Sequence, residues 1–227
     1  MPVSLSFAGE ILCPLPCGAL YWPARQTLFV ADLHFEKASA FARRGWLLPP
    51  YDSAETLRIL INTLEATGAS RVVALGDSFH DGGGPGRLPA GPRAALGALT
   101  ASLDWLWITG NHDDTAGASL GGRVMREARI GGLTLRHEAD PCDPTPELSG
   151  HFHPKVTVQI RGRRIVRRAF AVSPTKIILP AFGAFTGGLD IADPAIAAAM
   201  PGYVTAVVAE GDCLLRFPVP PPRVAAA

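Results

Sequence analysis

The sequence predicts an α/β fold, and three apolar runs separated by helical stretches carry that prediction. Residues 27–31 (Thr-Leu-Phe-Val-Ala), 71–75 (Arg-Val-Val-Ala-Leu) and 105–109 (Trp-Leu-Trp-Ile-Thr) are short, β-rich and almost free of charge, as buried strands are. Each run is followed by polar residues: Asp32-Leu33-His34, Gly76-Asp77 and Gly110-Asn111-His112-Asp113. The order is therefore β-α-β-α-β, and open sheets of that order carry their sites beyond the carboxyl ends of the strands.

Taken in order, residues 3–12, 19–22 and 27–31 read as successive strands, broken by Pro14, Pro16, Gly18 and a turn at 23–26. Two-residue alternation past the third strand delivers Asp32 and His34 to one side. Residues 36–44 have helical composition and stop at Gly45; Lys37, Arg43 and Arg44 make a basic face that is either solvated or used on a substrate. Asp52-Ser53-Ala54-Glu55 has the pattern of a capping box, and Leu57, Leu60, Ile61 and Leu64 follow at core-facing spacing until Gly68 closes the helix. The Gly- and Pro-rich residues 82–92 read as a mobile loop, with a short helix over 94–103 behind it.

From residue 123 the pattern changes to strands and hairpins. Residues 124–129 and 133–136 flank Gly131-Gly132, a hairpin signal, and His137 follows. Gly150-His151-Phe152-His153 precedes strands at 156–160 and 165–172 with a turn at 161–163. A strand at 176–180, a Gly/Phe-rich loop at 181–188, a short helix at 194–200 and a hairpin of 203–209 with 213–217 complete one domain, residues 1–217. The Pro- and Ala-rich residues 218–227 read as a flexible tail.

With 227 residues, 48% hydrophobic and 18% charged, the chain has material for a large core, which excludes global disorder. A net charge of +1 excludes polyanion binding through overall charge, so any nucleic-acid contact is local. Cys13, Cys17, Cys142 and Cys213 form no C-x-x-C pair, which argues against a zinc ribbon and for reduced thiols in a cytoplasmic protein. Glu10, Pro14 and Pro16 interrupt the N-terminal apolar stretches, and no export signal or membrane span is expected.

The polar residues at the element ends are Asp32, His34, Asp77, Asn111, His112, His137, His151 and His153, which include five of the six histidines. Scattered structural imidazoles would not gather so. The set exceeds what one ion uses, and carboxylate, carboxamide and imidazole donors without thiolate suit divalent Mn, Fe or Zn. Two such ions bridged by a carboxylate form the recurring device for phosphate ester hydrolysis.

In order and motif for motif, Asp32-Leu33-His34, Gly76-Asp77, Gly110-Asn111-His112-Asp113, His137 and Gly150-His151-Phe152-His153 resemble the calcineurin-like metallophosphoesterases. The resemblance implies a four-layer α/β sandwich, two mixed β-sheets flanked by helices. It also implies that Asp32, His34 and His153 hold one metal, that Asn111, His137 and His151 hold a second, and that Asp77 bridges them. His112 would face the scissile phosphate as a catalytic group, with Asp113 orienting it or capping the next turn.

Within that superfamily, residues 31–37, the Gly76-Asp77-Ser78-Phe79-His80-Asp81 loop and residues 179–188 resemble the ligase-associated DNA damage response endonuclease (PdeM) group. That implies manganese-dependent cleavage of single-stranded DNA alongside a helicase and a ligase, with Fe, Zn or Ni as other candidate ions.

The residues themselves say less about substrate than about chemistry. Arg161, Arg163, Arg164, Arg167 and Arg168 follow the Gly150 to His153 motif, but strand alternation lets only part of this run face one phosphate backbone. His80 and Asp81 stand near the second motif and can touch substrate or support ligands. Phe182 and Phe185 can stack on bases or pack in the core. A phosphomonoesterase or nucleotide hydrolase with the same centre is the enzymatic alternative, and a protein-binding scaffold the non-catalytic one. The C-terminal apolar hairpins leave the oligomeric state open.

Overall fold

The computed structural model describes residues 3–112, 116–200 and 202–220. The chain enters through a meander. Strands β1 (Leu5–Phe7) and β2 (Glu10–Pro14) pair in antiparallel fashion about Ala8-Gly9, both at positive φ, so residues 3–12 form a hairpin rather than the single strand expected. β3 (Leu20–Trp22) continues antiparallel to β4 (Thr27–Val30). β4, β5 (Arg71–Leu75), β6 (Asp104–Ile108) and β7 (Arg123–Met125) then run parallel, completing a seven-stranded sheet in chain order.

Alternation along these strands splits the core into two layers. Val72 and Ala74 of β5 face the helix side, where they pack with Leu57, Leu60 and Leu64 of α2 (Asp52–Thr67) and Leu96 of α4 (Ala90–Ser102). Val73 and Leu75 face the other way, against Leu133, Leu148 and Ile177 of a second sheet. That sheet has the order β16-β15-β13-β14-β10-β9-β8: Cys213–Val219, Val204–Glu210, Phe170–Val172, Lys176–Ile178, Glu147–Ser149, Leu133–Leu135 and Ala128–Ile130. Its outer face is covered by the single short helix α5 (Pro194–Ala199) and by the detached hairpin of β11 (Lys155–Ile160) and β12 (Arg163–Arg168). The expected two-sheet α/β sandwich is thus present, with one outer layer mostly helical and the other mostly not.

Several boundaries differ from the sequence reading for local reasons. Tyr51, not Asp52, is the N-cap of α2, and no side chain caps it. Asp52 Oδ2 instead accepts from Ala38 N (3.0 Å), and Ser53 Oγ accepts from Glu36 N (2.8 Å), which ties α2 to the start of α1 (Lys37–Ala42). The Gly- and Pro-rich stretch is not all loop: Gly84–Arg87 form the one-turn helix α3, and α4 begins at Ala90 with Pro89 as its N-cap. Residues 124–129 split between sheets at Met125, and 165–172 split at Ala169. β16 runs to Val219, where it pairs with Val204, so the strand takes in the first two residues of the expected tail.

One buried ion pair stiffens the second sheet. Lys176 (1% exposed) donates to Glu147 Oε2 (0% exposed) at 3.2 Å, and Arg136 Nε lies 3.5 Å from the same oxygen. Burial raises the Glu147 carboxyl pKa, with Lys176 and Arg136 opposing it. Removing one member strands a charge, so Lys176→Met is expected to cost about 3–5 kcal/mol of stability in urea unfolding, with Arg136 keeping the loss near the lower end. A loss below about 1 kcal/mol would show that the pair carries no such role.

Candidate metal centre

Each candidate ligand sits past a strand end, and five of the seven do so in backbone that strands do not use. β4 stops at Val30, and Asp32 (φ 53) and His34 (φ 46) follow in the left-handed region, as do Asp77 (φ 44), His151 (φ 73) and His153 (φ 49). Non-glycine residues rarely adopt this region, and such strain gathers where side-chain aim matters more than local comfort. The expected two-residue alternation of Asp32 and His34 therefore holds through turn geometry and not through a continued strand. The cost is offset by pairing between loops: Asp32 N donates to Gly76 O (3.3 Å), His34 N to Asp77 O (3.0 Å) and Phe35 N to Ser78 O (2.9 Å).

The two aspartates are held alike. Asp32 Oδ2 accepts from His151 N (3.0 Å), while Oδ1 is buried, makes no hydrogen bond and faces His153 Nε2 at 3.3 Å. Asp77 Oδ1 accepts from His112 N (3.0 Å), while Oδ2 faces His137 Nε2 at 3.4 Å. One oxygen of each carboxylate is thus spent on orientation and the other aimed at the centre. Glycines make the approach possible: a methyl group on Gly110 would overlap the Asp77 carboxylate and backbone nitrogen, and one on Gly150 would sit 2.6 Å from Asp32 Oδ2.

The donors converge in two groups, Asp32-His34-His153 and Asp77-His137-His151, each with its ligand atoms within 4.8 Å of one another. His34 Nε2 and His153 Nε2 are 3.3 Å apart, and His151 Nδ1 and His137 Nε2 3.1 Å apart. Facing ring nitrogens at this range leave lone pairs opposed unless a proton or cation lies between them, and the idle Asp32 Oδ1 asks for the same. His137 Nδ1 donates to Leu75 O (3.1 Å), which turns Nε2 toward the centre and Asp77, the outer hydrogen bond that metal-binding imidazoles use. The donor set fits two divalent ions.

The electrostatics differ between the two donor groups. Burial opposes the charged form of His137, but its hydrogen bond to Asp77 and the charges of Asp32 and Asp77 hold its pKa up to about 9. Burial likewise opposes ionisation of Asp77, yet His137 and His112 hold its carboxyl well below the usual range. His34 goes the other way, pushed down to about 4 by burial.

A cavity of about 540 Å³ opens over these groups, lined by His34, Asp77, His151 and His153 together with Lys37, His80, His112 and Gly187. The His112 ring is about half exposed there, its Nε2 3.8 Å from Asp77 Oδ2, and it stacks on His80 with centroids 5.8 Å apart. Asn111 Nδ2 lies 3.3 Å from His151 Nδ1; turning the carboxamide over presents Oδ1 to the same place. A neighbouring hollow of about 550 Å³ reaches Asn111 and His137 from the side of Arg126 and Arg136.

Other expected site residues fare differently. Asp81 is engaged by Arg87 Nη2 (2.8 Å) and Gly83 N (2.9 Å) and is not among the cavity-lining side chains, so its partner is structural. Asp113 lies outside the described residues. Arg168 turns inward to donate to Cys17 O and Gly183 O, both at 3.0 Å, while Arg163 and Arg164 remain exposed. Phe182 is fully buried in the helix-side core, and Phe185 is 52% exposed. Lys37, read in the sequence as part of a basic face with two possible roles, lines the cavity. The glycine contacts left a signal in the Gly-Asp, Gly-Asn-His and Gly-His pairs, whose purpose only the packing reveals.

No family model matches the chain, and no curated protein matches it in sequence. Among solved structures, the Pseudomonas putida nuclease MPE is similar over 95% of this chain and 99% of its own, with 29% identity and a TM-score of 0.71. The E. coli phosphoesterase Yfce is similar over 86% of this chain and 99% of its own, with 15% identity and a TM-score of 0.45. Of these two, the first bears on the fold and on the chemistry. Among the described residues, no helix is long and apolar enough to cross a membrane.

Proposed function

We infer, from a chain that has the fold and ligand motifs of the calcineurin-like metallophosphoesterases and is a metal-dependent phosphoesterase, that its centre cleaves phosphodiester bonds within single-stranded DNA. The observation that carries this reading is the pairing of two three-residue donor groups under one cavity that also presents His112. Near full-length likeness to a nuclease supports the choice of nucleic acid over small esters.

Asp32, His34 and His153 would hold one ion and Asn111, His137 and His151 the other, with Asp77 between them. Oxygen and nitrogen donors without thiolate favour Mn²⁺, with Fe, Zn and Ni as competitors. When bound, the pair of ions makes water acidic enough to attack at neutral pH and neutralises charge on the phosphoryl oxygens. The chain's own part is positional. His112 offers a proton from its ring to the leaving oxygen, with His80 packed behind it; a role for Asp113 in orienting that ring rests on the family resemblance alone. The settings in DNA repair and in the cytoplasm, and an association with a ligase and a helicase, rest on the family resemblance alone.

Metal-stripped protein incubated with Mn²⁺ and closed circular single-stranded DNA, beside a His112→Ala control, tests the reading on a denaturing gel. Linearisation by the wild type and not by the variant is expected. An intact circle, with a small diester still hydrolysed, would move the substrate to nucleotides or other small esters.

Binding should also stabilise the fold. At about 100 times its dissociation constant, Mn²⁺ adds about 2.7 kcal/mol, a rise in Tm of roughly 5–10 °C for a domain of this size. His153→Ala should lose most of that rise, and a wild type whose melting ignores Mn²⁺, Fe²⁺, Zn²⁺ and Ni²⁺ alike would refute the metal centre.

A further inference from the structure

Three exposed aromatic residues lie on segments that hydrogen bonds tie to α1. Among the described residues, four aromatics count as exposed: Trp46 (70%), Tyr51 (68%), Phe185 (52%) and Tyr203. The first three lie on two segments beside α1, and the fourth does not. Phe185 is a bulky residue at φ 58, a conformation that neither a glycine turn nor core packing explains, since its side chain is turned out to solvent.

The segments that carry them are tied together and to the centre. Lys37 Nζ, which lines the cavity, donates to Phe185 O (3.1 Å). Ala184 N donates to Thr56 Oγ1 (3.0 Å) in the second turn of α2, the helix whose N-cap is Tyr51. Phe182 N and Gly183 N donate to Ala31 O and Asp32 O, so this loop is anchored on the ligand loop itself. Trp46 N donates to Phe41 O (3.1 Å) at the far end of α1, whose Lys37 and Phe41 side chains lead from the cavity past His80. Arg43 and Arg44 add positive charge between Phe41 and Trp46. Aromatic faces alternating with cations beside a phosphate-cleaving cavity match a single strand, whose bases stack and whose backbone is anionic.

We propose that Phe185, Tyr51 and Trp46 form a base-stacking track for single-stranded DNA, with Lys37 and Arg44 contacting the phosphates that flank the bond held in the cavity. This rests on the nuclease reading and assigns it a binding surface. The track makes the enzyme's grip on DNA depend on bases that it neither reads nor cleaves.

The test compares the wild type with Phe185→Ala, Tyr51→Ala and the double variant on a fluorescent oligothymidylate and on bis(p-nitrophenyl) phosphate, each with Mn²⁺. Stacking of one base is worth about 1–3 kcal/mol, so KM for the oligonucleotide should rise about 10-fold or more in the double variant, while turnover of the small diester stays within about twofold. A wild type given a strand of abasic residues should show the same loss, and Phe185→Trp should keep the wild-type KM. An unchanged oligonucleotide KM in the double variant, or an equal loss on both substrates, overturns the track. A change in oligomeric state by light scattering would also overturn it, assigning the face to a second copy of the chain. A wild type that hydrolyses the small diester and ignores the oligonucleotide defeats the nuclease reading itself, and that arm alone tells the two failures apart.

Discussion

Gly110→Ala is expected to abolish metal uptake and lower phosphoesterase activity by about 100-fold or more, with the fold intact. The residue follows β6 and lies so close to Asp77 that a methyl group would overlap both its carboxylate and its backbone nitrogen. Something must yield, and the softer partner is the Asp77 loop, whose left-handed backbone is already strained. Moving that loop takes Asp77 Oδ2 away from His137 and breaks the His112 N to Asp77 Oδ1 bond in one step. Metal content by atomic emission, together with hydrolysis of a small diester, reads both effects. Gly97→Ala is the matched control: it lies inside α4 with open space around it and should gain up to about 1 kcal/mol. A Gly110→Ala protein carrying the full metal complement would refute the close-approach argument.

His112→Ala should behave in the opposite sense, keeping its metals while kcat falls about 10²- to 10⁴-fold and KM changes little. The reason lies in the division between backbone and side chain. His112 holds Asp77 through its amide nitrogen, a bond that any replacement but proline retains, whereas its half-exposed ring projects into the cavity, stacks on His80 and meets the His34 ring edge-on. Truncation therefore removes a proton donor and leaves the ligand array in place. Metal stoichiometry measured beside single-turnover rates separates the two functions. Loss of metal together with loss of activity would make His112 a structural residue, and full activity would end its catalytic assignment.

The three parallel strands, the helix stripe of α2 and the donors Asp32, His34, Asp77, His137, His151 and His153 were legible because period, breaker and residue chemistry all point one way at those positions. The capping box at Asp52 misled because its side chains serve α1 rather than their own helix, a tertiary use that local pattern cannot show. The Gly- and Pro-rich stretch hid α3 and the start of α4, since proline at the start of a helix is as compatible as proline in a loop. Residues 124–129 and 165–172 were read as unbroken strands because a change of sheet leaves no trace in alternation. Phe182 and Phe185, three residues apart in one loop, took opposite fates that only the packing decides.

The donor groups each draw on both sheets: Asp32 and His34 follow β4 while His153 lies beyond β10, and Asp77 follows β5 while His137 and His151 lie beyond β9 and β10. The site is therefore among the most non-local features of the chain, with its first group closing a separation of 119 residues between His34 and His153. Contacts of that span form late, because the entropy of closing so long a loop is recovered only when both sheets are already in place. A metal ion would therefore not seed this fold during synthesis; it would act as a clasp across two finished layers, one half of which needs residue 151 to have left the ribosome and the other residue 153.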